Sequence, residues 1–249
     1  MTDLTVVTVV ENDAGLIDLM IESVKKFTDP CPHFVICDNG NNKDVLDKYA
    51  NDPNIMIFSH EPALHGGSNR HGEGLNAAFD FVTTPKFAII ESDCIILKKG
   101  WGDLDFSKHK LLAAKKGDLA GQPFYHVCFL VGSSRLLRHG TTIDFRPGKD
   151  KNRSNRPYKA HEDVGWQLRN YVRPDQVKPM EFVDCKTGDG AYFDSRFQSD
   201  EFWVDGEPVL AHFGRGSNLG GKAIRKGFKH PAEQLEEWKK VARGVLDAG

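Results

Sequence analysis

Phe87-Ala88-Ile89-Ile90-Glu91-Ser92-Asp93-Cys94-Ile95-Ile96-Leu97 is an apolar run interrupted by two carboxylates one residue apart. Apolar residues without polar alternation read as a strand buried on both faces. Unpaired charges in the middle of such a strand are costly to bury. The run is therefore expected to surface at the C-terminal end of a strand, where open α/β sheets collect their ligands. In an extended segment residues two apart point to the same side, so Glu91 and Asp93 are expected to face one ligand together. Two convergent carboxylates suit a hard divalent cation that leaves its other positions to water and phosphate oxygens.

The chain before this run supplies the rest of a sheet. Leu4 to Val10 is β-branched and without alternation, as in a central strand. Ile17, Met20, Ile21, Val24 and Phe27 recur at helical spacing, and Pro30 and Pro32 close that helix. His33 to Cys37 reads as a second strand, running into the turn Asp38-Asn39-Gly40-Asn41-Asn42. Val45, Leu46 and Tyr49 suggest a short helix, and Ile55 to Phe58 a third strand. Strand, helix, strand, helix, strand implies parallel βαβ units.

Leu64 to Asn76 holds four glycines, two histidines and Arg70. It is expected to be a loop opening the helix that ends at Thr84-Pro85, with its backbone N–H groups turned to an anion. The spacing is neither a Walker A pattern nor a clean GxGxxG. After Trp101 the chain reads as irregular up to Gly121, and Val127 to Val131 as a further strand. Arg146 to Lys159 carries six basic residues against one acid, Asp150, and reads first as a solvated loop, second as a clamp for an anionic substrate. His161-Glu162-Asp163 stands before Val164 and Leu168, as acids do at a helix start. Short strands at Glu181–Val183, Phe202–Val204 and Val209-Leu210 lead to His212, and a last helix is expected over Gln234 to Leu246.

Composition bounds the function. Of 249 residues, 39% are hydrophobic and 27% charged, enough apolar material for a core. A formal net charge of -2 gives no global field toward nucleic acid or membrane. Five scattered cysteines without a CxxC pair argue against structural zinc and a disulfide framework. Neither a secretory leader nor an apolar run of membrane-spanning length is present, so a cytoplasmic setting is expected.

Taken in order, these pieces resemble glycosyltransferase family 2 of the GT-A fold. The matching stretches are Val6 to Asn12, Ile36 to Asn42, Gly72 to Ala78, Glu91-Ser92-Asp93, Glu162-Asp163 and His212. Glu91 stands where the family has Asp, and Glu11-Asn12 replaces the usual proline after the first strand. The resemblance implies a single GT-A-like α/β domain, a Rossmann-like mixed central sheet flanked by helices. Residues 1–97 would form its nucleotide-sugar half and 98–249 its acceptor half. It implies inverting transfer from a nucleotide-sugar donor, a UDP-sugar in preference to a GDP-sugar, with Mn²⁺ or Mg²⁺. Asp93, Glu91 and His212 would hold the metal, and Asp163 or Glu162 would be the base. Donor contacts would come from Val10, Glu11, Asn12, Asp38, Gly66, Gly67, Arg70, Asn76 and Ser92. The acceptor would be a glycan, a lipid-linked group or another hydroxyl compound, anionic if the basic loop serves it, with modified nucleic acid a minor option.

Two other classes compete. A nucleotidyltransferase would need a glycine-rich basic loop directly after the first strand, where Glu11-Asn12-Asp13-Ala14-Gly15 stands instead. A nucleotide-sugar-binding module without catalysis would show donor binding but no metal-dependent donor hydrolysis.

Overall fold

Seven residues, LTVVTVV, make β1 (Leu4–Val10), and all seven are buried. In the computed structural model, which describes residues 2–11, 15–40, 42–64, 66–119, 121–138, 143–148, 163–197, 199–214 and 231–248, this strand is the centre of a parallel block. It pairs with β2 (His33–Asp38) on one side and β4 (Lys86–Ile90) on the other, and β2 pairs with β3 (Ile55–Ser59). The crossovers are α1 (Ile17–Phe27), then α2 (Lys43–Leu46) with a 3-10 turn at Asp47–Tyr49, then α3 (Gly67–Phe79).

Beyond β4 the sheet becomes mixed. β7 (Gln122–Ser133) runs antiparallel to β4 and to β6 (Leu111–Leu119), and β6 runs parallel to β8 (Val177–Asp184). The second half of β8 leaves β6 and pairs with β9 (Asp200–Val204). β9 and β10 (Glu207–His212) form a hairpin, and β10 carries β5 (Cys94–Ile96) on its other edge. The order is β3-β2-β1-β4-β7-β6-β8-β9-β10-β5. Five strands thus separate β4 from β5 in the sheet, yet only Glu91-Ser92-Asp93 separates them in the chain. That connection can span at most about 14 Å. The sheet therefore curls back on itself, and the acidic turn is the seam.

Side-chain alternation sorts the strands onto two cores. A single-turn helix, α4 (Arg135–Arg138), follows β7, and α5 (Pro231–Ala248) comes last; Val6 and Val10 face α1 and α5, packing with Ile17, Met20, Val24 and Trp238. Val7 and Val9 face α3, with Leu75, Phe79, Phe87 and Phe145. β5, at the end of the strand order, has its Ile96 N–H taken by the Ser23 hydroxyl of α1 at 2.9 Å, which protects that edge from pairing with another chain.

Three expectations change. The stretch after Trp101 is not irregular throughout: β6 occupies Leu111–Leu119. Its pairing with β7 breaks between Ala113 and Lys115, where the extra residues lie on β7, and again between Lys115 and Gly117, where the extra residue, Lys116, lies on β6 and spoils the period-two pattern. The glycine-rich stretch is not a loop but most of α3, from Gly67 on. A Cβ at Gly72 would lie 2.7 Å from the Arg146 Cα, and one at Gly74 2.8 Å from a Val9 methyl, so these glycines let the helix sit close to its neighbours. The residues after Asp163 form only a 3-10 helix, Trp166–Asn170, because Gly165 takes a left-handed φ of 74° against β7. The expected final helix is present as α5. Most of the basic loop, and the basic stretch Lys222 to Lys229, lie outside the described residues.

One buried acid organises the far end. Glu201 is fully buried, and its carboxylate accepts N–H groups from Ala191, Tyr192 and Phe193 at 2.8 to 3.0 Å and the Trp203 indole at 3.0 Å. A carboxamide would turn an NH₂ group against two of those donors. Glu201→Gln is expected to cost roughly 2–4 kcal/mol of stability, from orphaned buried donors. Chemical denaturation checks this, and an unchanged midpoint would contradict it.

Candidate active site

The acids meet by a turn rather than by strand alternation. Glu91 donates its N–H to the Cys128 carbonyl of β7 at 2.9 Å, and Cys94 closes the turn onto the Glu91 carbonyl at 3.0 Å. Residues 92 and 93 are turn residues, so the expected extended geometry is replaced by a tight reversal into β5. Both carboxylates still reach the same histidine. In register, His212 lies opposite Cys94 of β5 and opposite Asp200 of β9. Its Nε2 is 3.3 Å from a Glu91 oxygen and 3.3 Å from an Asp93 oxygen, and its Nδ1 is 3.4 Å from Asp200. His71 of α3 reaches the other Glu91 oxygen at 3.5 Å.

These contacts are close but not aligned as hydrogen bonds: both His212 nitrogens are buried without a hydrogen-bond partner. Burial favours the neutral form of Glu91, but His212 and His71 outweigh it and bring the pKa down to about 2. Burial would likewise lower the His212 pKa, but Asp93 and the groups around it push it well up. The cluster thus requires positive charge at its centre. Asp93 and the unpartnered Nε2 of His212 are near enough together to hold a divalent ion, and Glu91 stands 3.3 Å from the same nitrogen. Asp200 stands where an outer carboxylate orients a ligating histidine. Cys94 is near enough to join Asp93 and His212 around an ion. Its thiol instead points to the Cys128 carbonyl at 3.7 Å, and burial raises its pKa well above the usual value. A hard ion prefers the oxygens.

The cluster forms one end of a cleft of about 530 Å³. Strand order reverses between β1 and β4, and the cleft opens at their C-terminal ends, as the topology of open α/β sheets favours. Val9 of β1 and Glu11, just past it, line the cleft, as do Gly67 and Ser68 from the first turn of α3, whose N–H groups precede the first helical bond. Asp163 lines it too. Its carboxylate accepts the Val164 N–H at 2.8 Å and the Lys116 ammonium at 2.7 Å.

Of the residues expected to form the site, Glu11, Gly67, Ser92, Glu91, Asp93, Asp163 and His212 share this cleft. Others sit elsewhere. Val10 is fully buried on the α1 side, one residue out of phase with Val9. Asp38 is 5% exposed, and its oxygens hold the Gly40 N–H and the Asn42 backbone and side-chain N–H groups at 2.7 to 3.2 Å. Arg70 ties Glu11, just past β1, at 2.6 Å to the Asn39 carbonyl at 2.7 Å. Asn76 bridges Asp144 and the Phe145 N–H. Gly66 precedes α3 with φ of 93° and does not line the cleft. Asn12 and Glu162 lie outside the described residues.

Three cleft residues went unread in the sequence. Lys116 sits on a bulged strand with no pattern to mark it. Asp200 had a signal: the Asp205-Gly206 turn marks the β9–β10 hairpin. Simple counting from it would place His212 opposite residue 199; the register shift between Pro208 and Leu210 brings Asp200 there instead. His126 of β7 falls one residue before the strand expected at Val127 to Val131. It stacks on Phe182 with centroids 4.6 Å apart and planes at 8°.

No protein-family model matches the sequence, and no curated protein matches it. Among solved structures the chain is similar to S. aureus TarS in complex with UDP-GlcNAc, at 13% identity over 72% of this chain and 56% of that one, with a TM-score of 0.47. It is similar to the glycosyltransferase GlyE in Streptococcus pneumoniae, at 18% identity over 71% and 45%, with a TM-score of 0.42. It is also similar to the galactosyltransferase LgtC in complex with donor and acceptor sugar analogs, at 14% identity over 51% and 57%, with a TM-score of 0.37. The chain spans about half the length of the TarS chains it matches, 51% and 56%. Among the described residues, no helix is long and apolar enough to cross a membrane.

Burial first, then Lys116, brings the His126 pKa down from 6.5 to about 4. The folded state therefore binds fewer protons than the unfolded state over that window. The stabilisation is complete above pH 6.5 and is lost as pH falls toward 4, by about 3 kcal/mol. His126→Phe is expected to remove that part of the acid dependence. Denaturation midpoints of the two proteins across this range check it; parallel pH profiles would contradict it.

Proposed function

We propose that the chain is a glycosyltransferase, of the family 2 type, moving a sugar from a nucleotide-sugar donor to an acceptor hydroxyl with inversion and with a divalent cation. The observation that carries this is the meeting of Glu91, Asp93 and His212 at 3.3 Å in a cleft that also holds Asp163. Asp93, Glu91 and His212 would hold Mn²⁺ or Mg²⁺, which when bound supplies Lewis-acid stabilisation of the diphosphate leaving group. The N–H groups of Gly67 and Ser68 take phosphate oxygens at the positive end of α3. Residues 1–97 serve the donor, a UDP-sugar by preference, and 98–249 the acceptor. Asp38, Arg70 and Asn76 contribute by shaping the loops and the helix around the donor. Four buried cysteines that remain thiols suit a cytoplasmic protein.

Asp163 accepts the proton of the acceptor hydroxyl as that oxygen attacks the anomeric carbon. Attack opposite the leaving diphosphate inverts the centre, as water does in an inverting glycosidase. Lys116 donates to the Asp163 carboxylate at 2.7 Å and fixes its direction. The same contact favours a second reading, a nucleotide-sugar-binding module without transfer, because that carboxylate is already engaged by Lys116 and the Val164 N–H.

Asp163→Asn keeps the shape and deletes the proton acceptor. Turnover is expected to fall on the order of a hundredfold to ten-thousandfold, with donor binding by calorimetry unchanged. The wild-type product should carry the inverted anomeric configuration by NMR. Transfer at the wild-type rate in the variant, or a retained configuration, would contradict the mechanism; donor binding without any transfer by the wild type would leave the binding-module reading standing.

A further inference from the structure

We propose that His126 reads the hydroxyl groups of the transferred sugar, its two ring nitrogens giving one donor and one acceptor to the sugar subsite. The inference rests on the glycosyl-transfer reading above and names the residue that would make it specific.

His126 lies on β7 two residues before it meets the acidic seam, since the Cys128 carbonyl takes the Glu91 N–H at 2.9 Å. The pairing of β7 with β6 is irregular between Tyr125 and Leu130, and His126, Val127 and Cys128 all line the cleft. The same cleft is lined by the carboxylate–imidazole cluster, with Asp200, and by the Lys116–Asp163 pair. A sugar passing from a diphosphate to a hydroxyl must hold its anomeric carbon between the leaving oxygen and the base. In this cleft that places the sugar ring over His126.

The ring is held rigidly by contacts that use neither nitrogen. Phe182 stacks on it, and Phe202 meets it edge-on at 5.8 Å and 81°. Phe202 also meets Phe182 edge-on at 5.5 Å, so the three rings brace one another. Among the described residues neither nitrogen of His126 has a hydrogen-bond partner, and neither is sealed from the cleft. A neutral imidazole both donates and accepts, as a sugar hydroxyl does. A lysine or a protonated histidine in its place could only donate. Burial, and then Lys116, favour the uncharged ring, which also spares a cation in the neighbouring cluster from repulsion.

The test uses the full chain, with Mn²⁺ and calorimetry. Probes are UDP, UDP-glucose, UDP-galactose, UDP-GlcNAc, GDP and GDP-mannose. For each sugar the quantity read is its affinity relative to its own nucleoside diphosphate. His126→Phe keeps the stacking and deletes both hydrogen bonds; His126→Leu deletes both with bulk alone; His126→Gln restores a donor and an acceptor. For the donor with the largest wild-type ratio, the Phe and Leu variants should lose about tenfold in that ratio. UDP or GDP binding alone should be unchanged, and the Gln variant should recover part of the loss. A ratio unchanged in the Phe or the Leu variant overturns the assignment while the glycosyl-transfer reading stands. An equal loss for the nucleoside diphosphate alone also overturns it, since the role would then be structural. A wild type that binds none of the probes removes the reading beneath it and this inference together.

Discussion

Three carboxylates gathered around one buried imidazole are the constraint on which the structure depends. Glu91, Asp93 and Asp200 all lie within 3.4 Å of His212 nitrogens. Such a cluster is tolerable only with positive charge at its centre. A proton on His212 can supply it, and so can a divalent ion. Each member comes from a different part of the sheet: the seam between β4 and β5, the start of β9 and the end of β10. Bringing them together requires the sheet to curl until its last strand returns beside β4. The curl and the cluster are therefore one feature. The hydrophobic cores on either side, with α1 and α5 on one and α3 on the other, hold that curl in place.

The opposite wall of the cleft is built on different physics. Gly72 and Gly74 let α3 approach β1 and the Phe145–Arg146 backbone closely. That approach carries the first turn of α3, with Gly67 and Ser68, to the cleft. A positive helix end and a cation-seeking acid cluster thus face the same space, a pairing that suits a diphosphate. Asp163 and Lys116 provide the remaining polar pair, and His126 supplies a rigid polar group that none of these contacts uses.

Much of this was legible in the sequence. The parallel block followed from uninterrupted apolar strands alternating with helical periodicity, and the final helix from its spacing after Pro231. Glu91 and Asp93 were expected to face one ligand from an extended strand; a turn stands there instead, because the chain must leave the sheet, and both acids reach His212. What stayed hidden depended on long-range register. β6 escaped because a bulge at Lys116 breaks its alternation. The glycines of α3 looked like a loop because close packing and backbone freedom call for the same residue. Asp200 depended on a one-residue register shift in the β9–β10 hairpin. Lys116 and His126 became visible only when non-adjacent strands were placed side by side.

The central claim is that the cluster around His212 takes a divalent cation as the counter-charge for its acids. Anomalous scattering at the manganese edge, from crystals grown with Mn²⁺ and UDP, tests it most directly. The account predicts a single strong peak within bonding distance of Asp93, Glu91 and His212 Nε2, with Asp200 retained on Nδ1. A fully occupied manganese ion elsewhere in the cleft, or His212 still wedged between the carboxylates with no ion beside it, would contradict it.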